Sequence, residues 1–212
     1  KADVECVMLG EAAENDILDP YFSLILDVYF IGAIPPLEER LEIYGAHEHF
    51  ETDIDGAKDR FFLEDVPVHV NLMPIGTVDA FLSGEAMPNA ILRETGTHRL
   101  YRLSAGQVLF SRSSWLEGVR AALGRLGEGF WASLSRAYRA KMEHSLSDIG
   151  AAIVRGDDWF FCLSLAEFLK SAASALYAHN RMFEPAHRFM SAGIRALPTL
   201  PDSFLSRWEN LL

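Results

Sequence analysis

The stretch FSLILDVYFI, Phe22 to Ile31, decides the fold class of this 212-residue chain. It is rich in aromatic and β-branched residues, and Gly32 and the pair Pro35-Pro36 follow it, which predicts a β-strand. Both of its faces are apolar apart from Asp27. A strand that is apolar on both faces is expected in the centre of a sheet that is covered on both sides.

The surrounding segments predict further short elements. VECVML (Val4 to Leu9) reads as a strand, and the segment from Pro36 to Gly45 as a short helix with Pro at its start and Gly at its end. The alternation in VPVHVNLM predicts a hairpin or two short strands between Asp59 and Pro74. The segment from His98 to Ser111 reads as two short strands that turn at Ala105-Gly106.

The second half of the chain reads as helical. Apolar residues recur at helical spacing from Trp115 to Leu126, where Gly127 and Gly129 interrupt the pattern, and again from Phe130 to Ile153, where Arg155-Gly156 ends it. Asp157 is suited to cap the next helix, which is apolar on most sides through Tyr177 and is therefore expected to be central. We predict an α+β protein, with a small mixed-sheet domain at residues 1–110 and an α-helical bundle at residues 115–212.

Charge and composition limit the class of partner. The first 100 residues carry 20 acidic and 6 basic residues, and the remainder carry 10 and 13. An acidic first half disfavours duplex nucleic acid as a partner, and it suits either divalent cations or a solvated surface. FFCLSLA stops at Glu167, so no uncharged apolar run approaches the ~18 residues that span a bilayer, and no membrane partner is expected. Cys6 and Cys162 lie far apart in apolar settings, which predicts buried thiols and a cytoplasmic location.

Asp27 is the only charged residue of the Phe22 to Ile31 strand. A carboxylate in an apolar strand must be paired, hydrogen-bonded or bound to a metal, because leaving it buried without a partner is costly. Two interpretations remain open. Asp27 either lies at an exposed strand end, where it caps a loop, or it is a metal-binding or catalytic carboxylate.

Several segments resemble the nucleotidyltransferase fold, as in the aminoglycoside and minimal nucleotidyltransferases. That family has a strand ending in Gly-Ser, a short helix, a strand with two acids separated by one residue, and a third acid on a later strand. MLGE (Met8 to Glu11) stands at the place of Gly-Ser, DPYFSLILDVY (Asp19 to Tyr29) resembles the acid-bearing strand, and VPVHVNL (Val66 to Leu72) resembles the third strand. The segments Tyr101 to Leu123 and Leu176 to Pro185 resemble the linker hairpin and a bundle helix of two-domain members.

The resemblance implies an activity and assigns roles to residues. Members hold a nucleoside triphosphate (NTP) through two Mg²⁺ ions and transfer a nucleoside monophosphate, here to a hydroxyl of a small molecule or protein. Asp27 would be a catalytic and metal-binding carboxylate, and His69 a metal ligand or base. Contacts to the nucleotide would come from the residues at the Gly-Ser position and from arginines of the bundle: Gly10, Glu11, Arg139 and Arg181.

The chain departs from the family pattern at three places. Glu11 replaces the Ser, Ile25 stands at the position of the first acid, and the third strand offers His69 or Asn71 in place of an acid. A Mg²⁺ site needs several oxygen ligands. The protein is therefore expected either to have lost activity or to take its acids from elsewhere.

Two other segments provide alternatives. Asp53 and Asp55 have the acid-x-acid spacing and either replace the missing acids or belong to a solvated acidic loop. Arg139 and His144 fit the Arg-to-His spacing of certain helical ribonuclease domains, a spacing that chance also produces in an arginine-rich chain. The alternative to an enzyme is a non-catalytic interaction module whose helical bundle binds a partner or forms a homodimer.

Overall fold

The computed structural model describes residues 3–10, 22–83 and 88–211. The chain divides into two compact units. We call Lys1–Ala86 with Arg102–Arg125 the sheet unit, and Met87–Tyr101 with Leu126–Leu212 the helical unit.

The sheet unit contains a mixed six-stranded sheet with the order β3-β4-β5-β2-β1-β6. Strand β2 lies between β1 and β5 and runs parallel to β5, whereas the other neighbours pair antiparallel. The α+β class and the central strand in FSLILDVYFI are thus confirmed. The strands are β1 (Val4–Leu9), β2 (Leu24–Phe30), β3 (Glu48–Thr52), β4 (Lys58–Leu63), β5 (Val66–Pro74) and β6 (Gln107–Ser111).

Both faces of the central strands are covered. One face carries a buried apolar cluster, against which Tyr44 packs from the short helix after β2. On the other face, the ring of Tyr29 lies 5.3 Å from that of Trp115, between centroids. The cluster consists of Phe30, Phe61, Val68, Val70 and Leu72. Alternation along β5 places Val68, Val70 and Leu72 on the cluster face, so His69 and Asn71 lie on the opposite face.

The helices that follow the chain order are α1 (Leu37–Tyr44), α2 (Ile75–Ser83), α3 (Pro88–Thr95), α4 (His98–Ala105), α5 (Trp115–Leu123), α6 (Glu128–Arg155), α7 (Asp158–His179), α8 (Met190–Arg195) and α9 (Phe204–Leu211). In the helical unit, α6 and α7 form an antiparallel hairpin. Gly156 ends α6 with φ +63°, and the carboxylate of Asp157 caps α7 by accepting from Phe160 N at 2.9 Å. Helix α8 packs against the C-terminal half of α7 around Tyr177 and Ile194.

One predicted element is wrong. The segment from His98 to Ala105 forms helix α4 instead of a strand, and only Gln107–Ser111 forms the predicted strand. Leu100 and Leu103 are both buried and are spaced three residues apart, which is the spacing of one helix face. The apolar residues of this short segment therefore follow a helical period, which the predicted strand did not take into account.

Helix α7 is less central than its composition predicts. Its C-terminal half is covered by α8, but Trp159 in its first turn is 75% exposed. Cys162 is exposed, so the expectation of a buried thiol holds for Cys6 and is wrong for Cys162. Among the residues described, α7 is the one helix that is long and apolar enough to cross a membrane, judged by length and composition only.

The residue ranges of the two compact units differ from the predicted segments 1–110 and 115–212. Helix α5 belongs to the sheet unit and α3 to the helical unit. A division of the chain into two independently folding domains near residues 111–115 stays a prediction.

Candidate functional site

Asp27 of β2 is buried beside a guanidinium. Its Oδ1 atom lies 2.6 Å from Nη2 of Arg102, which α4 supplies, and the side chains of this ion pair are about nine-tenths buried. The same oxygen accepts a hydrogen bond of 3.0 Å from Nδ2 of Asn71. Asn71 is the β5 residue paired with Asp27 in the parallel register, so both side chains lie on one face of the sheet. Among the described residues, an arginine and an amide thus serve as partners of the carboxylate in this apolar strand.

Gly10 makes room for this ion pair. Its backbone N donates to the carbonyl of Ile25 at 2.7 Å, which brings the end of β1 against β2. A Cβ atom at position 10 would lie 2.9 Å from Arg102 Nη2 and 3.1 Å from Ile25 Cβ. The absence of a side chain therefore lets the Arg102 guanidinium approach Asp27. The predicted role of Gly10 in nucleotide binding stays a prediction, and Glu11 lies outside the described residues.

His69 lies on the same sheet face as Asp27 and Asn71. It is half-buried, two residues before Asn71 on β5, and its register partners are Ile25 on β2 and Arg60 on β4. Strands β2 and β5 are neighbours in the sheet, and the roles of Asp27 and His69 in catalysis stay predictions.

The described groups around Asp27 do not fit a Mg²⁺ site. Mg²⁺ takes several oxygen ligands in near-octahedral geometry, whereas Asp27 already faces a guanidinium. Within residues 3–10, 22–83 and 88–211, no group of three or more His, Cys, Asp or Glu side chains could hold a metal ion. The geometry therefore favours a structural ion pair at Asp27 over a metal ligand.

The alternative acids lie in a turn. Asp53 follows β3, and its Oδ1 accepts from the backbone N of Ala57 at 2.8 Å and of Lys58 at 3.2 Å. Asp55 is exposed in the same turn, next to a fully exposed Ile54. Asp53 thus stabilises the β3–β4 hairpin, which agrees with the interpretation of a solvated acidic loop.

A second group of charged residues lines a pocket of about 560 Å³ within the helical unit. We call it the arginine pocket. It brings together Arg139 and Arg181, the two arginines assigned to phosphate contacts, and adds Arg136 and His179. Glu128 and Glu143 also line it, so three guanidiniums face two carboxylates. Arg139 donates to Ser135 Oγ at 3.2 Å, and Arg181 forms an exposed ion pair with Glu128.

Arg181 has an unusual backbone conformation. It follows the end of α7 with φ +55°, in the left-handed region. Its N–H donates to the carbonyl of Ala178 at 3.2 Å, and the N–H of Met182 donates to the carbonyl of Tyr177 at 3.0 Å. This is the Schellman pattern, whose left-handed residue is usually glycine. An arginine here is strained by its own Cβ.

Sequence reasoning missed two residues of these sites. Arg136 lies three residues before Arg139, so helical spacing alone could have added it to the arginine pocket. Arg102 was missed because its segment was predicted as a strand. His144 is exposed and lies 3.5 Å from Asp148, and it is not among the described residues that line the arginine pocket with Arg139.

No family model matches the chain, and no curated protein matches it. Among solved structures, the crystal structure of a nucleotidyltransferase-like protein from Exiguobacterium sibiricum 255-15 is similar, with 13% sequence identity and a TM-score of 0.48. The similarity covers 99% of this chain, and this chain spans 66% of the length of that one.

Proposed function

We propose that the chain is a degenerate nucleotidyltransferase-like protein that binds the phosphate groups of a nucleotide in the arginine pocket. The observation that carries this proposal is the convergence of Arg136, Arg139 and Arg181 on one pocket of about 560 Å³. Guanidinium groups present several N–H donors in a planar fork that matches phosphate oxygens. Arg136 and Arg139 come from one face of α6, and Arg181 comes from the end of α7.

The electrostatics of the pocket favour an anion. Arg136 and Arg139 are neighbours on the helix surface, where like charges repel each other. A bound phosphate would relieve this repulsion, and it would compete with Glu128 for Arg181. The ion pair between Arg181 and Glu128 is mostly exposed and is therefore weak. Replacing Glu128 by a phosphate as the partner of Arg181 therefore costs little free energy.

Metal-dependent transfer at Asp27 is not part of the proposal. A carboxylate that neutralises Arg102 at 2.6 Å is not available to hold Mg²⁺ without breaking a buried ion pair. The transfer of a nucleoside monophosphate to a hydroxyl, which the resemblance implies, would require acids other than those near Asp27. The proposed activity is therefore binding of a nucleotide, and catalysis stays untested.

Calorimetry with ATP and with inorganic triphosphate tests the proposal. Arg139→Gln should weaken both by about tenfold or more, because hydrogen bonds to charged groups contribute about 1.5–3 kcal/mol. Arg155→Gln is the matched control, since Arg155 is also an exposed arginine of α6 but does not line the pocket. The proposal would be refuted if the wild type bound neither ATP nor inorganic triphosphate.

The second candidate function is association through the tip of the α6–α7 hairpin. Val154 is 89% exposed and Trp159 is 75% exposed, and both flank the turn between the two helices. Large apolar side chains clustered on a surface are typical of interaction sites. Sedimentation of the wild type and of Trp159→Lys tests self-association, because a dimer formed through this tip would dissociate in the variant and a monomeric wild type would exclude it.

A further inference from the structure

An apolar pocket of about 400 Å³ adjoins the arginine pocket within the helical unit. The two pockets share Arg139 and His179 as lining residues. Side chains from α6, α7 and α9 form the walls of the apolar pocket, among them Met142, Leu176 and Phe204. One ligand can therefore reach the guanidiniums and the apolar walls at once.

The far wall of the apolar pocket is fixed to α7. The side chain of Asn180 donates to the carbonyl of Thr199 at 2.8 Å and accepts from Thr199 N at 2.8 Å. It also donates to the carbonyl of Leu176 at 2.9 Å. The backbone N–H and carbonyl of Thr199, which borders the pocket, are thus both hydrogen-bonded to Asn180. A ligand group here would meet mainly apolar side chains and would find few hydrogen-bonding partners.

We infer that the two pockets together bind one phosphate-bearing ligand that carries an apolar group. The phosphate lies among Arg136, Arg139 and Arg181, and the apolar group lies between Met142 and Phe204. This inference rests on the proposed function and adds the chemistry of the rest of the ligand. The pairing is favoured because a charged group left in the apolar pocket would be desolvated without compensation, whereas an apolar group gains by leaving water.

Two sources supply such a ligand. One is a nucleotide, whose flat base would be held by its faces, and the other is a phosphate with an aliphatic chain. Apolar side chains form no hydrogen bonds with the edges of a base. The pocket is therefore not expected to distinguish one nucleotide base from another. ATP and UTP are therefore expected to bind with affinities within about threefold of each other, since hydrogen-bonded readout is what separates bases strongly.

The experiment compares ligands that share a head group. Octyl phosphate is measured against methyl phosphate, and ATP and UTP are measured against inorganic triphosphate. At least one apolar-bearing member should bind about tenfold or more tightly than its head group alone, because buried apolar area adds favourable free energy. A gain for the octyl chain alone identifies an aliphatic ligand, and a gain for both nucleotides identifies a base bound by its faces.

A variant that fills the apolar pocket tests the location. Ala172 lines this pocket on α7, so Ala172→Phe should remove the gain from the apolar group and leave the affinity for inorganic triphosphate within about twofold. Ala166→Phe is the matched control, because Ala166 is exposed on the same helix and lines neither pocket. Met142→Gln makes the wall polar at nearly constant volume and gives the same readout if the Phe variant does not fold.

The outcomes separate the inference from the proposed function. The inference is overturned if octyl phosphate binds no more tightly than methyl phosphate and the nucleotides bind no more tightly than triphosphate. In that case, triphosphate binding that depends on Arg139 still upholds the proposed function. A large preference for ATP over UTP, or the reverse, would contradict the claim that the base is held only by its faces. Loss of all phosphate binding in the wild type overturns both.

Discussion

Arg102 lies against Asp27, with Nη2 of the guanidinium 2.6 Å from Oδ1 of the carboxylate. The pair joins helix α4 to the central strand β2, and both side chains are about nine-tenths buried. A buried charge is tolerated only when its partner is present. The pair therefore supports the sheet unit only as long as both members are charged and in place.

Asp27→Asn should lower the free energy of unfolding by about 3 kcal/mol, because it leaves the Arg102 guanidinium buried without its counter-charge. The loss should be the same with and without Mg²⁺. Urea melts of the wild type and the variant, each in the presence and absence of Mg²⁺, measure both effects. Asp27→Asn combined with Arg102→Met should recover part of the loss, since the second substitution removes the guanidinium that the first leaves buried without a counter-charge.

The opposite result would restore the metal interpretation of Asp27. In that result, Mg²⁺ would stabilise the wild type. The Asp27→Asn variant would be as stable as the metal-free wild type, and Mg²⁺ would not change its stability. A ligand raises stability only through binding to the folded state, so this pattern would locate the ion at Asp27.

Gly10→Ala should destabilise the sheet unit by about 1–2 kcal/mol, because the new Cβ would overpack the site. That atom would lie 2.9 Å from Arg102 Nη2 and 3.1 Å from Ile25 Cβ. Part of the cost should vanish in an Arg102→Ala background, and a double-mutant cycle measures that coupling. Gly76→Ala is the control, because nothing lies within 4 Å of its Cβ position. Equal costs in both backgrounds would show that Gly10 does not accommodate Arg102.

The central strand and the need for a partner at Asp27 could be predicted from the sequence. Ten residues with a single charge define a buried strand, and burial demands compensation of that charge. The identity of the partner could not be predicted, because Arg102 lies 75 positions away in the sequence. Its segment alternates over a few residues, and a short amphipathic helix and a strand are hard to distinguish at that length.

The arginine pocket shows the same limit in the helical unit. Helical spacing predicts that Arg136 and Arg139 share one face of α6. It does not predict that Arg181 reaches the same pocket, because this depends on how α7 packs along α6 and on the left-handed turn that ends α7. Elements with strong periodicity are thus predictable, while the convergence of side chains from separate helices follows from tertiary packing.

Arg181→Gly should stabilise the helical unit by about 0.5–1 kcal/mol and weaken phosphate binding. Glycine adopts the left-handed conformation at φ +55° without the steric cost that a Cβ brings. The exposed ion pair with Glu128 contributes little, so its loss does not cancel the gain. Thermal melts and calorimetry with triphosphate measure the two effects. Arg181→Ala separates them, because it removes the guanidinium and keeps the strain, and stabilisation by this variant too would argue against strain at Arg181.

Glu184 is expected to make the stability of the helical unit depend on pH. Its carboxyl group is buried, and burial raises the pKa of Glu184 above its ordinary value near 4.5, although hydrogen bonds with Ser174, Tyr138 and Thr97 oppose the shift. The backbone N of Glu184 donates to Thr97 Oγ1 at 2.8 Å, and Gly96 leaves room for the carboxyl group, since a Cβ there would lie 2.7 Å from Oε2. Folding therefore favours the neutral form of Glu184 over the ionised form, relative to the unfolded chain.

An acid whose pKa is raised in the folded state contributes stability that is fully present below the pKa of the unfolded chain and is lost as the pH rises through the folded pKa. The wild type should therefore lose stability relative to Glu184→Gln as the pH rises from about 4.5, because glutamine keeps the neutral shape and cannot ionise. The difference between urea melts of the two proteins, taken from pH 4 to pH 8, isolates this group from the other acids. Glu209→Gln, at an exposed glutamate paired with Arg195, is the control and should show no such divergence. A difference between wild type and Glu184→Gln that stays constant with pH would mean that Glu184 has the same pKa in the folded and unfolded chains.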